Sequence, residues 1–151
     1  MIKRQWTQQQ NNAIYARGGS LLVSAAAGSG KTAVLVERVI EYITDKDNPC
    51  DIDRLLVVTF SNAAAAEMKE RIGKRLHELI KKQRDNKHLR RQLMLLSNAD
   101  ISTIHSFCMK LAKEHFDELK ISTDFRIADD NELKVIRSEC LNEVVDEFYK
   151  N

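Results

Sequence analysis

A turn containing two glycines lies between a short apolar run and an amphipathic segment near the start of the chain. The run Ser20–Ser24 (SLLVS) is predicted to form a buried strand, and Lys31–Thr44 is predicted to form a helix. The apolar stripe of this helix comprises Val34, Leu35, Val39 and Ile43. A strand, a glycine-bearing turn and a helix in this order are the unit from which parallel α/β sheets are built, and the turn Ser24–Ala33 (SAAAGSGKTA) predicts a phosphate-binding loop.

The residues of this turn suit a nucleotide and Mg²⁺. Backbone N–H groups at the start of a helix bind phosphate oxygens, and glycine allows the positive φ that such a turn requires. Lys31 would reach the terminal phosphates and Thr32 would offer its hydroxyl to Mg²⁺, so these two are the candidate catalytic residues. The other candidate nucleotide-binding residues of the turn are Ser24, Ala25, Ala26, Ala27, Gly28, Ser29 and Gly30. The alternative is that GSGKT is only a helix-capping turn.

Ala25 departs from the strict pattern G-x-x-x-x-G-K-[ST], which has a glycine at this position. Alanine is the smallest side chain after glycine, but it disfavours a positive φ. We therefore expect the turn to persist with a negative φ at Ala25.

The composition predicts a soluble globular chain without a metal or disulfide framework. Of the 151 residues, 43% are hydrophobic and 30% charged, and the longest apolar runs are too short to span a bilayer. The three cysteines, Cys50, Cys108 and Cys140, lie far apart and form no CxxC pair. No metal site is expected from them, and a reducing cytoplasm is the expected location.

Charge is distributed unevenly along the chain, although the net charge is only +2. Residues 69–91 contain ten Lys or Arg and three Asp or Glu, whereas residues 114–151 contain five and eleven. The basic segment either faces a polyanion or is the solvated face of a helix, and charge alone favours the second interpretation.

Hydrophobic periodicity predicts alternating helices and strands along the chain. The predicted elements are a helix at Thr7–Ala16 capped by Thr7, a loop at Asp45–Asp51, a buried strand at Leu55–Thr59, a helix from Asn62 to Lys82, a short helix at Leu89–Leu96, a brief strand beginning at Ile101, a helix from Ser102 to Leu119, and a helix at Asp129–Tyr149. The last helix has a capping box at Asp129 and Glu132 and an apolar stripe at Leu133, Ile136, Cys140, Leu141, Val144 and Phe148. This order predicts an α/β layer with parallel strands.

Three further stretches carry a resemblance to a known family. They are WTQQQNNAI (Trp6–Ile14), VVTFSNAAAAEMKERI (Val57–Ile72) and ISTIHSFCMKLA (Ile101–Ala112). Together with the phosphate loop they resemble the motifs of UvrD/Rep-type superfamily 1 DNA helicases, and the likeness extends over nearly the whole chain. Ala33 follows GKT where UvrD usually has arginine, which is similar to the helicase–nuclease branch of AddA and RecB.

The resemblance implies a fold and an activity. The fold would be α/β, a P-loop NTPase with a RecA-like parallel sheet flanked by helices. Residues 1–120 would form part of the first motor domain, and residues 121–151 would begin a helical subdomain. The activity would be ATP-dependent DNA unwinding, with exonuclease activity in a longer parent that acts in double-strand break repair and recombination. Its cofactors would be ATP and Mg²⁺, and its partners would be single-stranded DNA, duplex ends and a second helicase/nuclease subunit of the AddB type.

The resemblance also implies residue roles. Gln10 would read the adenine base, for which a side-chain amide offers both a donor and an acceptor. The residues implied to contact single-stranded DNA are Thr59, Phe60, Ser61, Asn62, Thr103, His105, Ser106 and Phe107.

The residues alone leave other roles open for the same side chains. Ser61 or Asn62 would cap a helix while Phe60 lies in the core. Ser102 or Thr103 would cap the following helix, and His105 would either orient its loop or touch the strand.

A motor ATPase also needs carboxylates that hold Mg²⁺ and orient water, and no apolar strand ending in Asp-Glu occurs in the sequence. FRIADD (Phe125–Asp130) is the nearest imitation, but Arg126 interrupts its apolar run and Asp129 is better explained as a helix cap. We therefore expect an N-terminal piece of a longer polypeptide that binds nucleotide weakly and hydrolyses it poorly. The rival interpretations are a UvrD/Rep-type helicase without a nuclease, a small P-loop phosphotransferase, and a module that binds no nucleotide.

Overall fold

The computed structural model describes residues 5–26, 28–122 and 124–150. Its helices are α1 (Gln8–Tyr15), α2 (Lys31–Ile43), α3 (Asn62–Lys82), α4 (Lys87–Leu95), α5 (Ile104–Glu114), α6 (Phe116–Leu119) and α7 (Asp130–Lys150), and its strands are β1 (Leu56–Thr59) and β2 (Asp100–Thr103). A 3₁₀ turn, Ile52–Arg54, precedes β1. The chain divides into two compact units, Met1–Lys110 and Leu111–Asn151. Within the described ranges, every helix is too short or too polar to cross a lipid bilayer.

Strands β1 and β2 pair in parallel, with Leu56 opposite Asp100 and Thr59 opposite Thr103. Parallel neighbours need a crossover connection, which α3 and α4 supply here. The described residues therefore form a helix-rich α/β arrangement with a small two-stranded sheet. The predicted parallel pairing is confirmed for these two strands.

The predicted strand Ser20–Ser24 is wrong. Residues 20–26 have no regular secondary structure, and Leu22 is 93% exposed. A strand persists only where a neighbour pairs with its N–H and C=O groups. In the described part of the chain, β1 and β2 pair only with each other, so the apolar run has no partner.

The predicted burial of Leu55–Thr59 is only half correct. Val57 is buried in a core cluster with Met68 and Ile72 of α3. Leu56 and Val58, by contrast, are 49% and 44% exposed. Successive side chains of a strand point to opposite faces, so covering one face of the sheet with α3 leaves the other face open.

The apolar stripe of α2 is broader than predicted. Val36 and Ile40 are buried as well as the expected valines and Ile43, whereas Leu35 is partly exposed. The cause is that α2 packs on two sides. Val34 contacts α1 in a small cluster with Ala13 and Ile14, while the rest of the stripe faces α3. The main core consists of Val36, Val39, Ile40, Ile43, Ile52, Val57, Met68, Ile72, Leu76, Leu89, Leu96 and Ala99.

Helix α3 has the bounds that the sequence predicts, and α4 packs against it. Gly73 lies at this contact, where an added Cβ would come within 3.3 Å of Leu96 Cδ2. The glycine thus permits close approach of the two helices inside an otherwise regular helix.

Gln92 of α4 is fully buried and binds the segment that precedes β1. Its Oε1 accepts a hydrogen bond from the Ile52 N–H (2.9 Å), and its Nε2 donates to Asp51 Oδ1 (2.5 Å). Arg91 donates to the other Asp51 oxygen at 2.6 Å. Helix α4 therefore fixes the segment from which β1 starts.

Replacing Gln92 with alanine is expected to lower the free energy of unfolding by about 1–3 kcal/mol, because the buried Ile52 N–H loses its acceptor. Urea denaturation measures this change. Gln9→Ala is the matched control, since Gln9 is exposed on α1 and its loss should leave the midpoint nearly unchanged. Equal midpoints for the two variants would contradict the role given to Gln92.

After β2, one predicted helix is wrong and one predicted helix cap is confirmed. The helix predicted from Ser102 to Leu119 is divided: β2 continues to Thr103, and His115 separates α5 from α6. The predicted capping of the last helix is confirmed, because Asp129 Oδ1 accepts from the Glu132 N–H and Glu132 Oε2 accepts from the Asp129 N–H, both at 2.9 Å.

The apolar stripe predicted on the last helix is not buried. Leu141 and Val144 are each 63% exposed, and Phe148 is 78% exposed. An amphipathic pattern marks a face that burial would favour, but it does not specify which element packs over that face.

The start of α7 is charged at neutral pH. Hydrogen bonds from Arg126 and from the Asp129 N–H lower the pKa of Glu132 to about 2, so its carboxylate keeps its capping role.

Candidate nucleotide and DNA site

The phosphate loop leads directly into α2. Gly28 and Gly30 have left-handed backbones, with φ values of +78° and +86°, as predicted for this turn. The Ser29 N–H donates to the Ala26 carbonyl at 3.3 Å, and Gly30 is the N-cap of α2. Ala25 does not have a positive φ, which is the outcome expected for the departure from glycine. The predicted contact at Ala27 lies outside the described residues.

Lys31 lies at the first position of α2 with its ammonium against the loop. Its Nζ donates to the carbonyls of Ala25 at 2.5 Å and Ala26 at 2.8 Å. An ammonium has three N–H donors, so one remains for an incoming ligand. Thr32 follows on the first turn of the helix and is exposed, which leaves its hydroxyl accessible.

The first turn of α2 has one group suited to a phosphate-bound Mg²⁺, the exposed hydroxyl of Thr32. Thr32 would supply one oxygen ligand, and phosphates and water would supply others. Within the described residues, no group of three or more His, Cys, Asp or Glu side chains could hold a metal ion by itself. The donor set therefore fits Mg²⁺ arriving with a nucleotide.

Gln10 is the glutamine that the fold brings to the phosphate loop. Its Nε2 donates to the Ser29 carbonyl at 3.2 Å, and its Oε1 accepts from the Thr7 N–H at 2.9 Å. Gln8 instead bonds Asn12 on its own helix. The sequence identified Thr7 as a cap but not its reciprocal bond with Gln10, which the T-x-x-Q spacing already contains.

The loop after β1 presents an exposed aromatic ring. Ser61 Oγ accepts from the Ala64 N–H at 3.2 Å and caps α3, so Ser61 has the capping role and Asn62 is the first helical residue. Thr59 Oγ1 donates to the Ser61 carbonyl at 2.9 Å. Phe60 has a relative exposure of 109%, so its alternative placement in the core is wrong.

The loop after β2 is built in a similar way. Thr103 Oγ1 accepts from the Ser106 N–H at 3.2 Å and lies 2.9 Å from Ser106 Oγ, so Thr103 caps α5. His105 is exposed, and no hydrogen bond to its ring occurs within the described part of the chain. Phe107 is partly buried.

The register of the sheet brings the two loops together. Thr59 is paired with Thr103 in a parallel ladder, so both strands end at the same edge. Neighbouring strands lie about 4.8 Å apart, so the exposed side chains of the two loops share one surface. Parallel α/β sheets bind their ligands beyond this edge.

An ion pair links the helix of the phosphate loop to the helix that follows β1. Arg75 of α3 donates from Nε and Nη2 to the two carboxylate oxygens of Glu37 on α2, at 2.9 and 2.8 Å. Both side chains are partly buried, and hydrogen bonding to Glu37 raises the pKa of Arg75. Hydrophobic periodicity did not predict the contact between Glu37 and Arg75, because both residues lie beside the apolar stripes of their helices rather than on them.

Many side chains of the basic segment are paired within the protein. Arg71 pairs with Glu67, Lys74 with Glu70 and Arg91 with Asp51. Lys69 donates to the Ser97 carbonyl at 2.8 Å. These pairs support the interpretation of residues 69–91 as a solvated helix face rather than a dedicated polyanion surface.

A family model described as the UvrD/REP helicase N-terminal domain matches residues 6–151. The chain belongs to this helicase family. Three relatives of this helicase domain are named as ATP-dependent helicase/nuclease subunits. The one from Ruminiclostridium cellulolyticum is 50% identical over 100% of this chain, that from Anoxybacillus flavithermus 53% identical over 96%, and that from Clostridioides difficile 49% identical over 99%.

This helicase domain corresponds to a small part of those relatives. The chain spans 12% of the length of each of the three. The similarity therefore establishes the family of the chain.

Proposed function

We propose that this chain is the ATP-binding N-terminal part of a DNA helicase/nuclease subunit that acts in double-strand break repair and recombination. The observation that carries the proposal is a glycine loop with left-handed Gly28 and Gly30 at the start of α2, in a chain of the UvrD/REP helicase family. Residues 1–120 would belong to the first motor domain, with a RecA-like P-loop sheet, and residues 121–151 to a helical subdomain.

The nucleotide would lie on the phosphate loop. Backbone N–H groups of Gly28–Thr32 and the positive end of α2 would bind its phosphates, and Ser24–Ala27 would line the approach. Lys31 would contact the terminal phosphates, and Thr32 would hold Mg²⁺. Gln10, which already reaches the loop, would face the adenine base.

Single-stranded DNA would cross the edge where β1 and β2 end. Phe60 offers a stacking surface, and the exposed His105 lies on the neighbouring loop. Thr59, Ser61, Asn62, Thr103 and Ser106 supply hydroxyl and amide groups for phosphates or sugars, and Phe107 would support the second loop.

Nucleotide and DNA would be coupled through α2 and α3. One helix begins at the phosphate loop and the other just after Phe60, and the Glu37–Arg75 pair joins them. A shift of the loop on binding phosphate would thereby move the start of α3 and change the grip on the strand.

The parent protein would unwind duplex ends with ATP and degrade strands in the cytoplasm, together with a second subunit of the AddB type. Asp129 Oδ1 accepts the capping hydrogen bond at the start of α7, which favours a helix cap over a metal-binding carboxylate. The 151-residue chain alone should therefore bind ATP–Mg²⁺ and single-stranded DNA but turn ATP over very slowly.

The test compares DNA with small phosphate acceptors. Labelled ATP–Mg²⁺ is titrated into the chain with and without oligothymidylate, and phosphorylated products are sought after addition of nucleosides and nucleoside monophosphates. The proposal expects binding of both ATP and oligothymidylate without transfer to any acceptor. Phosphorylation of a small acceptor, or ATP binding with no affinity for single-stranded DNA, would overturn it.

A further inference from the structure

The carboxamide of Gln10 joins the first turn of α1 to the phosphate loop. Its Oε1 accepts from the Thr7 N–H at 2.9 Å, and its Nε2 donates to the Ser29 carbonyl at 3.2 Å. A Cβ added at Gly30 would lie 3.5 Å from Nε2, so the carboxamide packs directly on the loop. Both partners are backbone groups of the protein itself, so the contact needs no base.

The two backbone partners also fix which way the carboxamide points. Rotating it by half a turn would set its NH₂ group against the Thr7 N–H and its oxygen against the Ser29 carbonyl. The rotated carboxamide would place donor against donor at Thr7 and acceptor against acceptor at Ser29, so both hydrogen bonds would be lost. Gln10 therefore has one preferred orientation, set by α1 on one side and the loop on the other.

The loop is held from two sides. Lys31 binds the carbonyls of Ala25 and Ala26, and Gln10 binds the carbonyl of Ser29. A triphosphate competes for the Lys31 ammonium, since the anion is the stronger acceptor. The Gln10–Ser29 bond uses a carbonyl oxygen, which phosphates do not bind, so the ligand does not compete for it.

We propose that Gln10 is a positioning residue of the phosphate loop, which holds Ser29 in the conformation that accepts a triphosphate whatever base is attached. This inference rests on the proposed nucleotide site and adds a role beyond reading adenine. The carboxamide keeps one N–H and one lone pair free, so both roles are compatible. A preorganised loop binds more tightly because less ordering occurs on binding.

Inorganic tripolyphosphate separates the two roles, because it carries the phosphates without a base. Gln10→Ala is expected to weaken binding of tripolyphosphate and of ATP about three- to tenfold, the effect of losing one hydrogen bond. Gln9→Ala, on the same helix but exposed, should bind both ligands as the wild type does. Isothermal titration calorimetry gives the two dissociation constants for each variant.

A second variant guards against a general defect of α1. Gln10→Glu keeps the acceptor for the Thr7 N–H, and glutamate favours this capping box, but it cannot donate to Ser29. Hydrogen exchange of the amides of Gly28–Thr32, measured without ligand, should be faster in both Gln10 variants and unchanged in Gln9→Ala. Circular dichroism confirms that the helices remain formed.

Unchanged tripolyphosphate binding by Gln10→Ala, with weaker ATP binding, would restrict Gln10 to the base and overturn the inference. Unchanged exchange at Gly28–Thr32 in both Gln10 variants would do the same. If the wild type bound neither ligand, or bound both independently of Lys31, the proposed nucleotide site would fall instead. In that case the exchange measurement still decides whether Gln10 holds the loop.

Discussion

Replacing Lys31 with alanine is expected to weaken binding of ATP–Mg²⁺ on the order of 100-fold. A charge-assisted hydrogen bond contributes about 1.5–3 kcal/mol, and an ammonium at this position would make more than one such bond to the terminal phosphates. The same substitution removes the donor to the carbonyls of Ala25 and Ala26, so the loop also loses an internal support. Fluorescence titration with labelled ATP measures the dissociation constant directly.

Lys46→Ala is the matched control for this experiment. Lys46 is an exposed lysine in the loop beyond the opposite end of α2, so its removal changes the net charge equally without touching the phosphate loop. Lys31→Arg should lie between the two, because arginine keeps the charge but has a planar, bulkier head that cannot replace a compact ammonium. Superimposable titrations for Lys31→Ala and the wild type would remove the nucleotide site and, with it, the motor function proposed for the chain.

The sequence predicted those elements whose signals are local. Helix α3 carries its apolar stripe, its N-cap and its basic last turn within its own residues, so its bounds could be determined in advance. The left-handed glycines of the phosphate loop were equally predictable, since only glycine takes that backbone without strain. Thr7 and Asp129 were identified as caps because capping depends on neighbours three residues away.

Predictions that depend on distant partners were less successful. SLLVS has strand propensity, but pairing requires a neighbour that the sequence of the run does not specify, and Leu22 is exposed. The apolar stripe of α7 is exposed, because periodicity marks an apolar face of a helix and does not specify what packs against it. Gln10 and Ser29 are 19 residues apart, and their contact follows only once α1 has packed on α2.

The ends of β1 and β2 depend both on local sequence signals and on contacts between distant residues. Each loop could be recognised by its own residues, with caps at Ser61 and Thr103. That the two loops share an edge depends on the register of β1 and β2, which the order of elements suggested and the ladder establishes. Phe60 and His105 take no part in this capping and are exposed at the two loops, which no local pattern could have predicted.

Replacing Phe60 with alanine is expected to weaken binding of single-stranded DNA about tenfold, because stacking of one base on an aromatic ring contributes about 1–3 kcal/mol. The ring is fully exposed, so its loss removes no core contact and the free energy of unfolding should change by less than about 0.5 kcal/mol. Fluorescence anisotropy of labelled oligothymidylate measures the affinity, and urea denaturation measures the stability. Tyr149→Ala, which removes an aromatic ring that is 82% exposed on α7, is the control and should leave the affinity unchanged.

The dependence of this effect on salt identifies its physical origin. Contacts to phosphates weaken steeply between about 50 and 200 mM salt, since counterions are released when cations bind DNA, whereas stacking has no such dependence. The ratio of dissociation constants for Phe60→Ala and wild type should therefore stay constant while both affinities fall. A ratio that approaches one at higher salt would mean that Phe60 acts by arranging nearby phosphate contacts. Equal affinities at every salt concentration would mean that the strand does not cross the edge where β1 and β2 end.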